Sequence, residues 1–326
     1  LRCSQLTTST QNRQEASVKV KILHFQNMGV GTVISKALRT MGVQSHVMST
    51  CPHPFGFEND SIMPRHRFLG RVPVARELLR KHDWAQYFEY DILHSHDNSS
   101  IPSFMRNHWH NRFIQHYHDP QTDRSLYSEL SVVSFVSVPT ILQVIPDAQW
   151  IPLPSDTQLF SPMKRNEHEG VRVGFCDQQL DPKKQQFIPR REIIAATNRH
   201  HVSVYPLSTI IPHQAMANYY GQIDIWVDRI GLGFYGFSAV EAAAMEIPVI
   251  TQIGREEQKW IPDCPFINAK REEVTDAIGY LASSQEARRS IGQASRQFIL
   301  RTHDAKVVAE RCLNHYEKLL GRSFHS

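Results

Sequence analysis

Two α/β units in tandem, each built on a parallel, doubly wound sheet, are what this sequence predicts. Three observations carry that expectation. Short runs rich in β-branched residues alternate with amphipathic helical stretches. The alternation breaks once, in a Pro- and Ser-rich stretch at residues 151–162, and then resumes. The chain of 326 residues is long enough for two cores of about 150 residues each.

The first strand is VKVKILHF, residues 18–25, by its alternation and β-branched content. A turn holding Gly29 and Gly31 follows. Next comes a helical stretch in which Val33, Ile34, Ala37, Leu38 and Met41 share a face, with Gly42 placed as its C-cap. QSHVMS opens a second strand at Gln44, and strand–turn–helix–strand is the building unit of a parallel sheet. Further strands are expected at 91–95, 112–118 and 131–137, with a helix over 74–82. IPLPSDTQLFSP (151–162) and the charged run after it read as a linker. Beyond it, VRVGF (171–175) and VSVY (202–205) are strands, and a helix over 213–220 leads into IDIWV (223–227). A helix from Phe237 to Met245 feeds PVI (248–250), and the chain is helical from Glu272 onward, with breaks near Ser283 and His303. The expected organisation is a polar leader (1–17), a first domain (18–160), a second domain (161–305) and a C-terminal helix (306–326).

Composition narrows the function. Thirty-six basic side chains against 32 acidic give +4, too balanced for a nucleic-acid binder, so no nucleic-acid partner is expected. No run of about 18 apolar residues occurs, which argues against a membrane-spanning helix. Five scattered cysteines without a CxxC suggest neither a zinc knuckle nor a disulfide framework, and fit a reducing cytoplasm. Peripheral contact with a membrane stays open through the basic and aromatic residues near Trp109 and Arg112. Eighteen histidines is the unusual figure. His94 and His96 lie two apart on an expected strand, as do His116 and His118, so each pair points to one face. Four such imidazoles could hold zinc. Histidine abundance is the sole support for that, and no metal is expected.

The most informative segment is GFYGFSAVEAAAMEIPVI, residues 233–250. Gly236 opens a helix directly after a strand and loop, where a ligand can approach the backbone and a helix N-terminus attracts phosphate. Glu241 lies about a turn and a half further on, and a carboxylate there can accept both hydroxyl protons of a ribose. This stretch resembles the donor-binding signature of the GT-B glycosyltransferases, in particular the retaining group called family 4. IPLPSDTQLFSP is similar to that family's interdomain IPNGVDTELFxP. VRVGFCDQQLDPKK (171–184) resembles the strand and loop opening its second domain, and MGVGTVISKALRTMGVQSHV (28–47) its first glycine loop and helix. RQFILRTHDAKVVAERCLNHY (296–316) is similar to its closing helices.

The resemblance implies two Rossmann-like domains facing across a cleft, with the C-terminal helix crossing back to the first. Glu241 matches the second glutamate of the E-x7-E motif, which holds the donor ribose. Gly236 and Phe237 match the loop against the donor phosphates, and Lys183 or Lys184 the lysine that neutralises the diphosphate. His118, in FIQHYHDP, matches a histidine near the scissile bond, and Gly29 and Gly31 the loop close to the reacting sugar. Two positions depart from the pattern: Gly233 stands where the first glutamate would be, and Phe175 where an arginine would be. A subgroup with VDQLxxGxYG resembles VDRIGLGFYG (227–236), and there Asp228 would replace the missing carboxylate as a catalytic group.

The function implied is transfer of a sugar from a nucleotide-sugar donor to a glycan, lipid-linked or small-molecule acceptor, with retention. No metal and no cofactor besides the donor substrate are implied. The alternatives are a GT-B sugar-nucleotide epimerase or glycoside phosphorylase, and a catalytically degenerate GT-B protein that binds nucleotide or glycan. A dinucleotide oxidoreductase would explain Gly29 and Gly31 but lacks the third glycine and leaves 233–250 unexplained.

Overall fold

The computed structural model describes residues 20–26, 29–63, 81–96, 103–119, 133–164, 169–177 and 182–324. The first unit contains β1 (Lys21–Gln26), α1 (Val30–Thr40), β2 (Gln44–Ser49), β3 (Ser61–Ile62), β4 (Ile92–His96), α2 (Ser103–His108), β5 (Phe113–Tyr117), β6 (Val133–Val136) and β7 (Gln149–Trp150). Its strands are all parallel, in the order β3-β2-β1-β4-β5-β6-β7. The second unit has β8 (Arg172–Cys176), α3 (Arg190–His200), β9 (Ser203–Leu207), α4 (Met216–Tyr220), β10 (Ile225–Val227), α5 (Phe237–Ala244), β11 (Val249–Thr251), α6 (Arg255–Gln258), β12 (Ile267–Asn268) and α7 (Val274–Ser283). Its sheet runs β12-β11-β10-β8-β9, also parallel throughout. Two long helices, α8 (Gln285–Thr302) and α9 (Ala305–Leu320), close the chain.

The elements follow from the residues. Strands such as β4 and β5, buried at every position, read as nearly continuous buried runs because helices cover both sheet faces. The α1 face named from sequence is buried at Val33, Ile34, Ala37 and Leu38, and Gly42 takes φ +83° just past the helix end. Ser284 and Asp304 cap α8 and α9 by accepting from the N–H groups of Ala287 and Lys306. The expected breaks near Ser283 and His303 fall at these junctions. Of the helix expected over 74–82, residues 74–80 lie outside the described residues, and 81–85 are helical. The helix expected over 213–220 begins as a 3-10 turn, His213–Ala215, before α4.

Helix α9 returns to pack against α1, and its Tyr316 is fully buried. The joint between the units is pinned by His303. Its Nδ1–H donates to Leu153 O at 2.8 Å, which leaves Nε2 to accept from the Tyr235 hydroxyl at 2.8 Å. Ser155 N and O bond His303 O and Ala305 N across the same joint. Among the described residues no helix is long and apolar enough to cross a membrane.

Strand order positions the site. In a parallel sheet, loops on either side of the point where the order reverses diverge and leave a crevice at the strands' carboxyl ends. In the second sheet that point lies between β8 and β10, so the loops carrying Lys183–Lys184 and Asp228–Gly236 flank it. In the first it lies between β1 and β4, and the loop after β1 carries Gly29.

Candidate active site

The loop from β10 to α5 is shaped by two glycines with left-handed backbone, Gly231 at φ +105° and Gly233 at φ +81°. A glutamate at 233 would be strained there, which gives a local reason for the departure from the E-x7-E pattern. Asp228 is 4% exposed, and its Oδ2 accepts from the Gly236 N–H at 2.7 Å, closing the loop like a clasp. Gly236 is extended, and a Cβ there would run into Nη2 of Arg229. The guanidinium therefore lies directly over the start of α5, with Arg229 Nε 4.0 Å from Asp228 Oδ1.

Glu241 is 3% exposed and engaged on both oxygens. His213 Nε2 lies 2.6 Å from Oε1, and the Tyr220 hydroxyl donates to Oε2 at 3.0 Å. Burial and the neighbouring Glu241 charge push the Tyr220 phenol well above its ordinary value of 10, so it stays a donor. Each carboxylate oxygen has two lone pairs, so these contacts leave acceptor capacity.

His213 is also where the two units meet. Its backbone N–H donates to Phe55 O at 2.7 Å, and its ring stacks on Phe57 with centroids 4.1 Å apart. Phe57 approaches Phe237 edge-on at 6.4 Å and lies against Gly29, where a Cβ would collide with its ring. A cavity of about 400 Å³ opens beside this contact, between Thr32 and Lys36 of α1, Phe57, Thr157 and His213.

The remaining expected residues are placed as follows. Lys184 forms an ion pair with Asp119 of the first unit. The side chain of Lys183 lies outside the described residues. His118 is 8% exposed with both ring nitrogens bonded, Nε2 to His96 Nδ1 at 3.0 Å and Nδ1 to Ser137 Oγ at 2.8 Å. Burial pushes it down to about 3, against the opposing pull of Asp119. Gly31 lies in the first turn of α1, where a Cβ would meet Gln26 Oε1 and the His96 ring. Neither Gly29 nor Gly31 has positive φ, so close packing rather than a turn uses their missing side chains. Phe175 is a core residue on β8, in register with Val227.

Thus the structure gathers Asp228, Gly236, Phe237 and Glu241 at the start of α5. It sets Lys184 at the boundary between units and His118 in a separate buried network. Sequence reasoning missed Arg229, His213 and Tyr220. Adjacency to Asp228 was a signal for Arg229, whereas His213 and Tyr220 lie 28 and 21 residues from Glu241 and had none.

No family model matches the chain, and no curated protein does. Among solved structures it is similar to a glycosyltransferase from Rickettsia africae ESF-5, at 14% identity, TM-score 0.66, covering 94% of this chain and 100% of that one. It is similar to sucrose-phosphate synthase from Thermosynechococcus elongatus at 15% identity and TM-score 0.65, covering 93% and 100%. Anabaena HepE in complex with UDP and glucose matches at 11% identity and TM-score 0.65, covering 92% and 100%. At such identities the likeness speaks to architecture: this chain has the GT-B fold of two Rossmann-like units.

Proposed function

We propose that the chain is a glycosyltransferase that moves a sugar from a nucleotide-sugar donor to a glycan, lipid-linked or small-molecule acceptor, with retention and without a metal in the transfer step. The observation that carries this reading is the start of α5, where a glycine-opened helix, an overlying guanidinium and a buried carboxylate converge at the switch point of the second sheet. A nucleoside diphosphate has a matching series of groups. Its phosphates fit the helix start and Arg229, and its ribose fits Glu241, pre-oriented by His213 and Tyr220. The UDP in the HepE complex is consistent with such a donor.

Charge grows on the leaving diphosphate as the glycosidic bond breaks, and groups fixed before the reaction stabilise it at no reorganisation cost. Arg229 and one of Lys183 and Lys184 supply that stabilisation, each worth about 3 kcal/mol by analogy with single oxyanion donors. Arg229 also compensates for Phe175. Phe175 pairs in register with Val227, and Arg229 stands two residues beyond that partner, so a cation lost near the end of β8 returns just after β10. Asp228 holds the Gly236 backbone in place and so acts on the phosphate site as a positioning residue.

One observation favours a second reading, a donor-binding protein without turnover: Gly233 removes the first carboxylate of the motif. Thermal-shift screening against UDP-, GDP-, TDP- and ADP-sugars tests both, since a ligand at about a hundred times its Kd adds ~2.7 kcal/mol. Transfer of labelled sugar, or donor hydrolysis without acceptor, is expected. Binding without either supports the second reading, and no shift with any nucleotide overturns both.

A further inference from the structure

Five histidines to which the function proposed above assigns no role meet inside the first sheet. Parallel register sets His24 opposite His94 and His96 opposite His116, and the i, i+2 spacing puts His94 with His96, and His116 with His118, on one face. All five are buried. His96 Nδ1 lies 3.0 Å from His118 Nε2, His94 Nε2 lies 3.2 Å from His116 Nδ1, and His96 Nε2 lies 3.0 Å from His24 Nδ1.

The outer nitrogens are anchored. Ser137 Oγ lies 2.8 Å from His118 Nδ1 and 3.0 Å from His116 Nε2, and the Tyr316 hydroxyl lies 2.6 Å from His94 Nδ1. A hydroxyl oxygen can accept from both ring N–H groups. If Ser137 does so, His118 Nε2 and His116 Nδ1 each present a lone pair inward, the second of them facing His94 Nε2 at 3.2 Å. A His96 Nε2–H donated to His24 bares His96 Nδ1 in the same way. A ligating imidazole is normally held in this manner, its second nitrogen fixed by an outer partner. The ligating atoms of His96, His116 and His118 all lie within 4.8 Å of one another, and no carboxylate or thiolate shares that group. His24 Nε2, outside that group, has no partner among the described residues.

We propose that His96, His116 and His118 bind one first-row transition-metal dication, zinc foremost, as a structural staple across β4 and β5. An all-imidazole donor set selects borderline cations such as Zn²⁺, Co²⁺, Ni²⁺ and Cu²⁺ over Mg²⁺ or Ca²⁺, which take oxygen. Tetrahedral coordination at about 2.0–2.1 Å, with a water as the fourth ligand, sets ligand nitrogens about 3.3–3.4 Å apart, close to the His96–His118 contact, and the His116 ligand atom, within 4.8 Å of the other two, would move inward. The site lies in the first unit's sheet, its rings bonded to one another, to Ser137 and to Tyr316, and the role proposed for the ion is structural.

The test uses the full chain freed of any affinity tag. Its metal content is measured by mass spectrometry after purification without chelator, and metal-stripped protein is titrated with Co²⁺ while the visible absorption is followed. A single equivalent per chain and a tetrahedral cobalt band are expected. His118→Gln, and separately His96→Gln, should weaken binding roughly tenfold or more, whereas His110→Gln, at an exposed position, should leave it unchanged. Because a cluster variant can fail to fold, the wild-type protein carries a second readout, a rise in Tm with Zn²⁺ and none with Mg²⁺. Substoichiometric metal with no cobalt band from the wild type overturns the proposal. So does a Zn²⁺-induced rise that survives unaltered in a folded His118→Gln protein. Either result would make the cluster a proton-bonded network.

Discussion

Replacing His303 by Gln should flatten the acid limb of the stability curve by a predictable amount. His303 is fully buried at the joint between the units, and burial pushes it down to about 4, with Arg311 adding to the effect and the Leu153 carbonyl opposing it. The unfolded chain takes up a proton near 6.5 and the folded chain near 4, so the folded state binds fewer protons throughout that interval. Stability tied to this group is therefore complete above about pH 6.5 and declines as pH falls towards about 4. Each unit of the gap is worth about 1.4 kcal/mol, which gives about 2 kcal/mol lost between about pH 7.5 and 5 and about 3.4 kcal/mol once both states are protonated. Urea unfolding of wild type and His303→Gln, compared at several pH values, isolates the term because every other buried histidine is common to both proteins. The variant should be the less stable near neutrality, where it disturbs the Leu153 and Tyr235 bonds, and the gap should shrink by about 2 kcal/mol by about pH 5. Parallel curves would show that His303 titrates alike in both states and would refute a dry, neutral imidazole at the joint.

Three further outcomes are expected. Gly292→Ala places a Cβ against the carbonyl of Glu246, a backbone contact on both sides that cannot swing away, and should cost about 1–3 kcal/mol in urea unfolding; an unchanged midpoint would mean α8 does not approach so closely. Tyr316→Phe leaves His94 Nδ1 without its 2.6 Å partner and should cost about 1–3 kcal/mol, with faster amide exchange concentrated in α9; slowed or unaltered exchange would deny that this bond holds the helix to the first sheet. Asp228→Ala removes the acceptor of the Gly236 N–H, and should lower turnover strongly while leaving the unfolding midpoint within about 1–3 kcal/mol of wild type; full activity would remove Asp228 from the phosphate site.

How legible these features were depends on their range along the chain. Strands such as QSHVMS and IDIWV announce themselves because alternation and β-branching are local, and the structure has β2 at Gln44–Ser49 and β10 at Ile225–Val227. Helix α3 was invisible because RREIIAATNRH buries Ile193 and Ala196 alone, too narrow a stripe for a period to register. The two-residue strands β3, β7 and β12 exist through pairing with their neighbours, and nothing within two residues can signal that. The i, i+2 histidines were legible as pairs, but their convergence with His24, Ser137 and Tyr316 required the register of four strands and the return of α9.

The glycines show why a site read from sequence stays ambiguous even when its position is right. Gly29, Gly31 and Gly236 were expected to let a ligand near the backbone. In the structure the space of each absent Cβ is claimed by Phe57, by Gln26 with His96, and by Arg229. A glycine signals that something must come close, and both a phosphate and a side chain satisfy that requirement. What separates the two cases is the chemistry of the intruder. Phe57, half-buried against His213, and His96, fully buried, are neutral packing partners, whereas Arg229 brings a positive charge to a helix N-terminus already disposed towards anions. Placing a fixed cation where the helix field is also positive is unfavourable without an anion to offset both. Asp228 meets that demand in part from 4.0 Å away, and its Oδ2 is already tied to the Gly236 N–H. On the function proposed above, the positive field left over favours the start of α5, rather than either glycine after β1, as the place to hold a diphosphate.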